Sequence, residues 1–89
     1  MRAVVTVIGR DCIGIIADVS AKCSAFGANI IDISQSVMRE YFAMIMLVEL
    51  SALEVDFESF ANALRELGEQ KGLQIHAMHE DIFNAMHRI

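Results

Sequence analysis

The sequence predicts an α+β domain with elements in the order β-α-β-β-α-β and a short helix at the C-terminus. Three features predict it. Apolar runs of strand length occupy 3–8, 29–38, 41–50 and 73–78. Between them lie two stretches whose apolar residues recur at helical spacing. Glycines at positions 9, 14, 27 and 72 stand where the period changes, as expected where a chain must turn sharply. At 89 residues the chain makes a single domain, 1–89, with its core over 2–80 and the terminal helix over 81–89.

The first run, 3–8, is rich in Val and Ile and suits a buried strand. From Gly14 the period switches: Ile15, Ile16, Val19, Cys23 and Phe26 share one helical face, with Asp18 and Lys22 opposite. Gly27 suits that helix's C-terminal cap. In the second strand, 29–38, Ile31, Ile33 and Val37 fall on one face and Asp32, Ser34 and Ser36 on the other. Arg39 and Glu40 make the turn of a hairpin, and 41–50 is the return strand. A loop with Ser51, Glu54 and Asp56 follows. Phe57, Phe60, Ala61, Leu64 and Leu67 then give the strongest helical periodicity in the chain. Asp56 suits its N-cap and Gly72 its C-cap. The run 73–78 is the fourth strand. Ile82, Phe83, Met86 and Ile89 line one face of the last helix, which Asp81 caps. Two split β-α-β units with right-handed crossovers assemble into a ferredoxin-like fold, a four-stranded antiparallel sheet with two helices on one face.

The return strand is apolar on both sides. Phe42, Met44, Met46 and Val48 share one face; Tyr41, Ala43, Ile45 and Leu47 share the other. A strand wetted on one side alternates, so the second face of the sheet is expected to be covered, over more area than the terminal helix supplies. A second subunit is the expected cover, and a 55% apolar composition in so short a chain agrees. The second strand lies at an edge of this sheet. Its one charge is Asp32, and with no lysine, proline or bulge to blunt it, it is expected to pair with the same strand of a second subunit across a two-fold axis.

Composition excludes several functions. Net charge is −5 and the seven Lys and Arg are scattered, so no nucleic-acid footprint is expected. No apolar run approaches the ~18 residues of a membrane span, and no signal peptide is seen. Cys12 and Cys23 stand outside any disulfide framework, which reads as a cytoplasmic protein with reduced thiols. Cys23 lies on the apolar face of the first helix and reads as core. Cys12 sits near a helix N-terminus, where a thiolate is favoured, but no base lies near it in sequence. His76 and His79, three apart on a strand, point to opposite faces, and His87 is distant, so no metal site is expected. Without paired carboxylates, a nucleophile beside a base or a phosphate loop, no catalytic residue and no cofactor is expected.

The functional signal is the stretch Gly9-Arg10-Asp11-Cys12-Ile13-Gly14, with Gly27-Ala28-Asn29-Ile30 after the first helix. A strand runs into a tight turn and then a helix, whose first turn carries unpaired N–H donors suited to a small anion. The run Val5-Thr6-Val7-Ile8-Gly9-Arg10-Asp11-Cys12-Ile13-Gly14-Ile15-Ile16-Ala17, together with Gly27-Ala28-Asn29-Ile30-Ile31-Asp32-Ile33, resembles the opening of an ACT domain. The resemblance continues through Phe57-Glu58-Ser59-Phe60 and spans roughly 2–80. The whole chain is similar to small stand-alone members of the family, which also resemble the halves of the glycine-cleavage-system transcriptional repressor. ACT domains are regulatory modules, and many bind amino acids. The resemblance implies a ligand held between Asp11, Cys12, Ile13, Gly14 and Ile15 of one subunit and Asn29 and Ile30 of its partner. Amides of Ile13, Gly14 and Ile15 would take a carboxylate, and Asp11 or Asn29 an ammonium. On the residues alone, Asp11 can equally cap the helix and Asn29 close a turn. The expected function is a homodimeric, amino-acid-sensing regulatory module. The alternative is a ligand-free adaptor that binds another protein.

Overall fold

The computed structural model describes residues 1–10 and 14–86. The elements are β1 (Arg2–Arg10), α1 (Ile15–Ala25), β2 (Asn29–Met38), β3 (Tyr41–Glu49), α2 (Phe57–Lys71), β4 (Gln74–His79) and α3 (Glu80–Met86). The strands form one antiparallel sheet in the order β2-β3-β1-β4. This is the ferredoxin-like arrangement the element order predicts. β1 runs further than 3–8 because it pairs with β3 along its whole length, from Arg2 opposite Glu49 to Arg10 opposite Tyr41.

The core lies between the sheet and the two long helices. Val5 and Val7 of β1 stand opposite Met46 and Met44 of β3, and all four are buried. Ile15, Val19 and Cys23 of α1 and Phe60 and Leu64 of α2 close over them. These are the positions that the helical spacing placed on the apolar faces. Asp56 caps α2 as expected: its carboxylate accepts from the Ser59 N–H at 3.4 Å and the Ser59 hydroxyl at 2.5 Å. Those bonds hold the Asp56 carboxyl below its usual range. The cap therefore contributes stability above the unfolded carboxylate pKa and loses it as pH falls through the lower folded value.

β2 departs from its expected pattern. Ile30 pairs with Val48 but Asp32 pairs with Leu47, so Ile31 is an extra residue in the ladder. The bulge reverses the alternation. Ile30 and Ile33 pack against the core, while Ile31 is 48% exposed, so Ile31 does not share the face of Ile33. The edge is also less bare than its composition suggests. Besides the bulge, the Asp32 carboxylate accepts from the Ile33 N–H at 2.9 Å. That donor thus points out of the sheet. By the antiparallel alternation, the N–H groups of Gln35 and Val37 also point outward, and those of Ser34 and Ser36 face β3. The open part of the edge is the stretch from Ser34 to Met38.

At the hairpin, Arg39 takes φ 58. A two-residue hairpin loop of type II′ needs a positive φ at its first central position.

α3 starts at Glu80, one residue earlier than expected, so Asp81 lies in its first turn rather than capping it. Glu80 instead pairs with Arg2, at 2.8 Å. The expectation that the apolar face of this helix is buried does not hold within the chain. No residue of α3 is buried, and Ile82 and Met86 are exposed. Positions 87–89 lie outside the described residues.

Candidate functional site

The N-terminus of α1 begins at a glycine. Its N-cap is Gly14, with φ 75 and no side-chain cap bond. The Asp18 N–H donates to the Gly14 carbonyl at 3.0 Å, the first bond of the helix. The N–H groups of Ile15, Ile16 and Ala17 precede that bond and have no acceptor within the helix. α2 satisfies its first turn with Asp56, whereas no described side chain does so for α1. Gly14 is exposed and a Cβ there would meet nothing within 4 Å among the described residues, while its φ of 75 is a backbone conformation that favours glycine. Ile15 is core, 2% exposed, and only its backbone amide can serve a ligand. Asp11, Cys12 and Ile13 lie outside the described residues.

Asn29 and Ile30 stand at the other end of the sheet. Arg10, Tyr41 and Met38 are neighbours at the loop end; Arg2, Glu49 and Asn29 are neighbours at the opposite end. Eight residues of strand separate the two ends, about 26 Å. One chain therefore does not bring Gly14 and Ile15 together with Asn29 and Ile30. Ile30 is half-buried against the core and Asn29 is exposed. α1 packs on the β2 side of the sheet and α2 on the β4 side, so the α1 N-terminus lies in the half of the domain that ends in the open edge.

Glu49 is a residue that sequence reasoning missed. It stands directly opposite Asn29. Its carboxylate accepts from the Ser51 N–H at 2.6 Å and from the Ser51 hydroxyl, with the Met1 ammonium at 3.5 Å. The Ser51 bonds hold its carboxyl below the usual range. Next to it, Met1, Arg2, Glu49, His79, Glu80 and Asp81 line a polar cleft of about 320 Å³. Only the register of β1, β3 and α3 assembles it.

Other candidate groups separate. His76 is exposed and pairs with Thr6, on the face away from the helices, while His79 stacks on Phe57 at 4.1 Å on the helix side. Among the described residues no cluster of His, Cys, Asp and Glu has a metal-binding arrangement. Cys23 is fully buried, and burial pushes its thiol up to about 11, which leaves it protonated and inert near neutral pH. Among the described residues no helix is long and apolar enough to cross a membrane.

Comparison with known proteins agrees with this architecture. Residues 2–78 match the family profile described as the ACT domain. The chain is 50% identical over 88 residues to a UPF0237 protein of Methanocaldococcus jannaschii, covering 99% of this chain and 98% of that one. Among solved structures, an ACT domain protein from Streptococcus pneumoniae is 40% identical with a TM-score of 0.81, covering 93% of each chain. A putative glycine cleavage system transcriptional repressor is 26% identical with a TM-score of 0.69, and the match covers 86% of this chain and 44% of the repressor. The fold and these likenesses agree, and the chain belongs to the ACT domain family.

Proposed function

We propose that this protein is a regulatory module that senses an amino acid at the interface of a homodimer. The observation that carries the reading is the N-terminus of α1, whose first-turn amides meet no side-chain cap among the described residues, at the end of the sheet remote from Asn29 of the same chain. Antiparallel pairing of the open edges of β2 about a two-fold axis carries the partner's Asn29 to this loop end. The amides at Ile13, Gly14 and Ile15 then receive the carboxylate, and Asp11 of one chain or the partner's Asn29 receives the ammonium. Cys12 and Ile30 complete the surroundings. Membership of a family of regulatory domains supports the same assignment.

Titration with each of the twenty amino acids, read by calorimetry, tests it. One or a few are expected to bind, and Asn29→Ala is expected to weaken that binding by about 1–2 kcal/mol, a hydrogen bond to a charged group. A flat panel contradicts the sensor and favours the protein-binding adaptor. The edge pairing has its own test. Gln35→Pro removes a donor that points out of the sheet and is tolerated within the chain, whereas a proline at Ser34 would break the β2–β3 ladder. Gln35→Pro is expected to halve the mass seen by light scattering. An unchanged mass places the pairing elsewhere.

A further inference from the structure

A polar row crosses the end of the sheet where β1 starts. Asn29 of β2 stands opposite Glu49 of β3, and Glu49 stands opposite Arg2 of β1. Val48 is buried on the helix side, so the alternation along β3 turns Glu49 to the other face. Opposite charges that face each other across a ladder ordinarily pair. Here they do not. Glu80 of α3 holds the Arg2 guanidinium, with Nη2 at 2.9 Å from Oε1 and 2.8 Å from Oε2, and Nε at 3.2 Å from Oε1. Glu49 turns to Ser51 instead, and its contacts among the described residues all fall on Oε1, which leaves Oε2 without a partner. The Ser51 bonds hold the carboxyl below its usual range, so it is ionised at neutral pH.

The cleft beyond Glu49 carries more negative than positive charge. Glu49, Glu80 and Asp81 line it, against the Arg2 guanidinium and the Met1 ammonium. Arg2 is taken by Glu80, and Asp81 has no ion pair among the described residues. The Met1 ammonium meets Glu49 at 3.5 Å with its side chain 62% exposed, a weak and displaceable contact.

We propose that the amino acid sensed by this protein is a basic one, whose side-chain cation is received by Glu49. The inference rests on the shared-site reading above: where the partner's Asn29 reaches the ligand, the partner's Glu49 arrives with it, one strand behind and about 5 Å away. With the α-ammonium at Asn29, a ligand side chain of three or four carbons spans that step. The cleft, of about 320 Å³, has room for its end. A cation there gains a charge-assisted hydrogen bond to an ionised carboxylate. A neutral side chain strips water from Glu49 and replaces none of its hydrogen bonds, and an acidic one is repelled. Glu80 is a positioning residue: by holding Arg2 it keeps the row's own cation off Glu49.

Calorimetry on the full chain tests this with lysine, ornithine and arginine against norleucine, which has the carbon chain of lysine without the terminal amine. Wild type is expected to bind one of the basic ligands about 10-fold more tightly than norleucine, as for a hydrogen bond between charged groups. Glu49→Gln is expected to bring that ratio close to one. The glutamine amide oxygen still accepts from Ser51, and a circular-dichroism melt checks the fold. Glu80→Gln, which frees Arg2 to pair with Glu49, is expected to lower the ratio as well. A general loss of stability weakens both kinds of ligand alike and does not move the ratio. A wild type that prefers norleucine or another neutral amino acid, or a Glu49→Gln variant that keeps the wild-type ratio, overturns the basic ligand and leaves the amino-acid sensor standing. A ratio that survives in Glu80→Gln overturns the positioning role. A panel in which none of the twenty amino acids binds overturns the sensor and the basic ligand together.

Discussion

Phe60→Ala is expected to cost about 3–5 kcal/mol, the range for removing a buried aromatic ring without refilling its space. Phe60 is 0% exposed, on the face of α2 that closes the core. Its ring meets Phe26 edge-to-face at 6.1 Å and Phe57 at 6.3 Å. Phe26 follows α1, so this aromatic group ties the end of one helix to the start of the other. Met44 and Met46 on the strands beneath can relax into only part of the space a ring leaves. Domains of this size are stable by only about 5–15 kcal/mol, so the variant should sit near its unfolding threshold. Urea denaturation measures the effect, and a loss below about 1 kcal/mol would contradict the packing described.

Gly27→Ala is expected to cost about 2–4 kcal/mol, more than its modest chemistry suggests. Gly27 takes φ 83, and a left-handed backbone alone costs a residue with a Cβ about 1–2 kcal/mol. A Cβ here would also stand 2.3 Å from the Ala52 carbonyl oxygen. That oxygen is backbone, and the loop bearing it is tied down: the Glu54 N–H donates to the Phe26 carbonyl at 2.9 Å. Relief therefore needs the loop or the end of α1 to move. Gly14 provides the control. It has φ 75 and no described atom within 4 Å of an added Cβ, so Gly14→Ala is expected to show the conformational cost alone, about 1–2 kcal/mol. Equal losses at the two positions would mean that the loop yields and the carbonyl contact is not a constraint.

Much of this was legible in the residues. Phe57, Phe60, Leu64 and Leu67 marked α2 because helical burial repeats at three and four residues. Asp56, Gly27 and Gly72 marked helix ends because their chemistry solves a local problem, a free donor or a left-handed turn. The two-sided apolar character of β3 marked a second apolar face on the sheet, expected to be covered by a second subunit; within the single chain Ile45 on that face is 45% exposed. Other features were not legible. The bulge at Ile31 leaves no mark in composition, since an extra residue changes which face follows without changing residue types. Gly68 looks like a weak point in α2, yet a Cβ there would stand 2.7 Å from the Leu73 carbonyl oxygen, so this glycine sets how closely α2 approaches β4. The polar cleft at Glu49 joins residues from both termini and the middle of the chain. The two halves of the candidate site were each legible as local motifs. Their separation across the sheet follows from topology, because the crossover through α1 returns the chain to the end where β1 began.

A ligand site shared between two chains makes a demand that a site within one chain cannot meet. Gly14→Val blocks the loop half and Asn29→Ala weakens the other half. In a dimer containing one of each, one site carries both lesions and the other carries neither. Mixing the two variants after each has been unfolded and refolded together should therefore regenerate wild-type affinity for the bound amino acid, at one site per mixed dimer and about a quarter of all sites. Calorimetry of the mixture against the separate variants reads this directly. Recovery of that tight fraction is the predicted result; a mixture that binds only as the average of its two weakened parents contradicts the shared site.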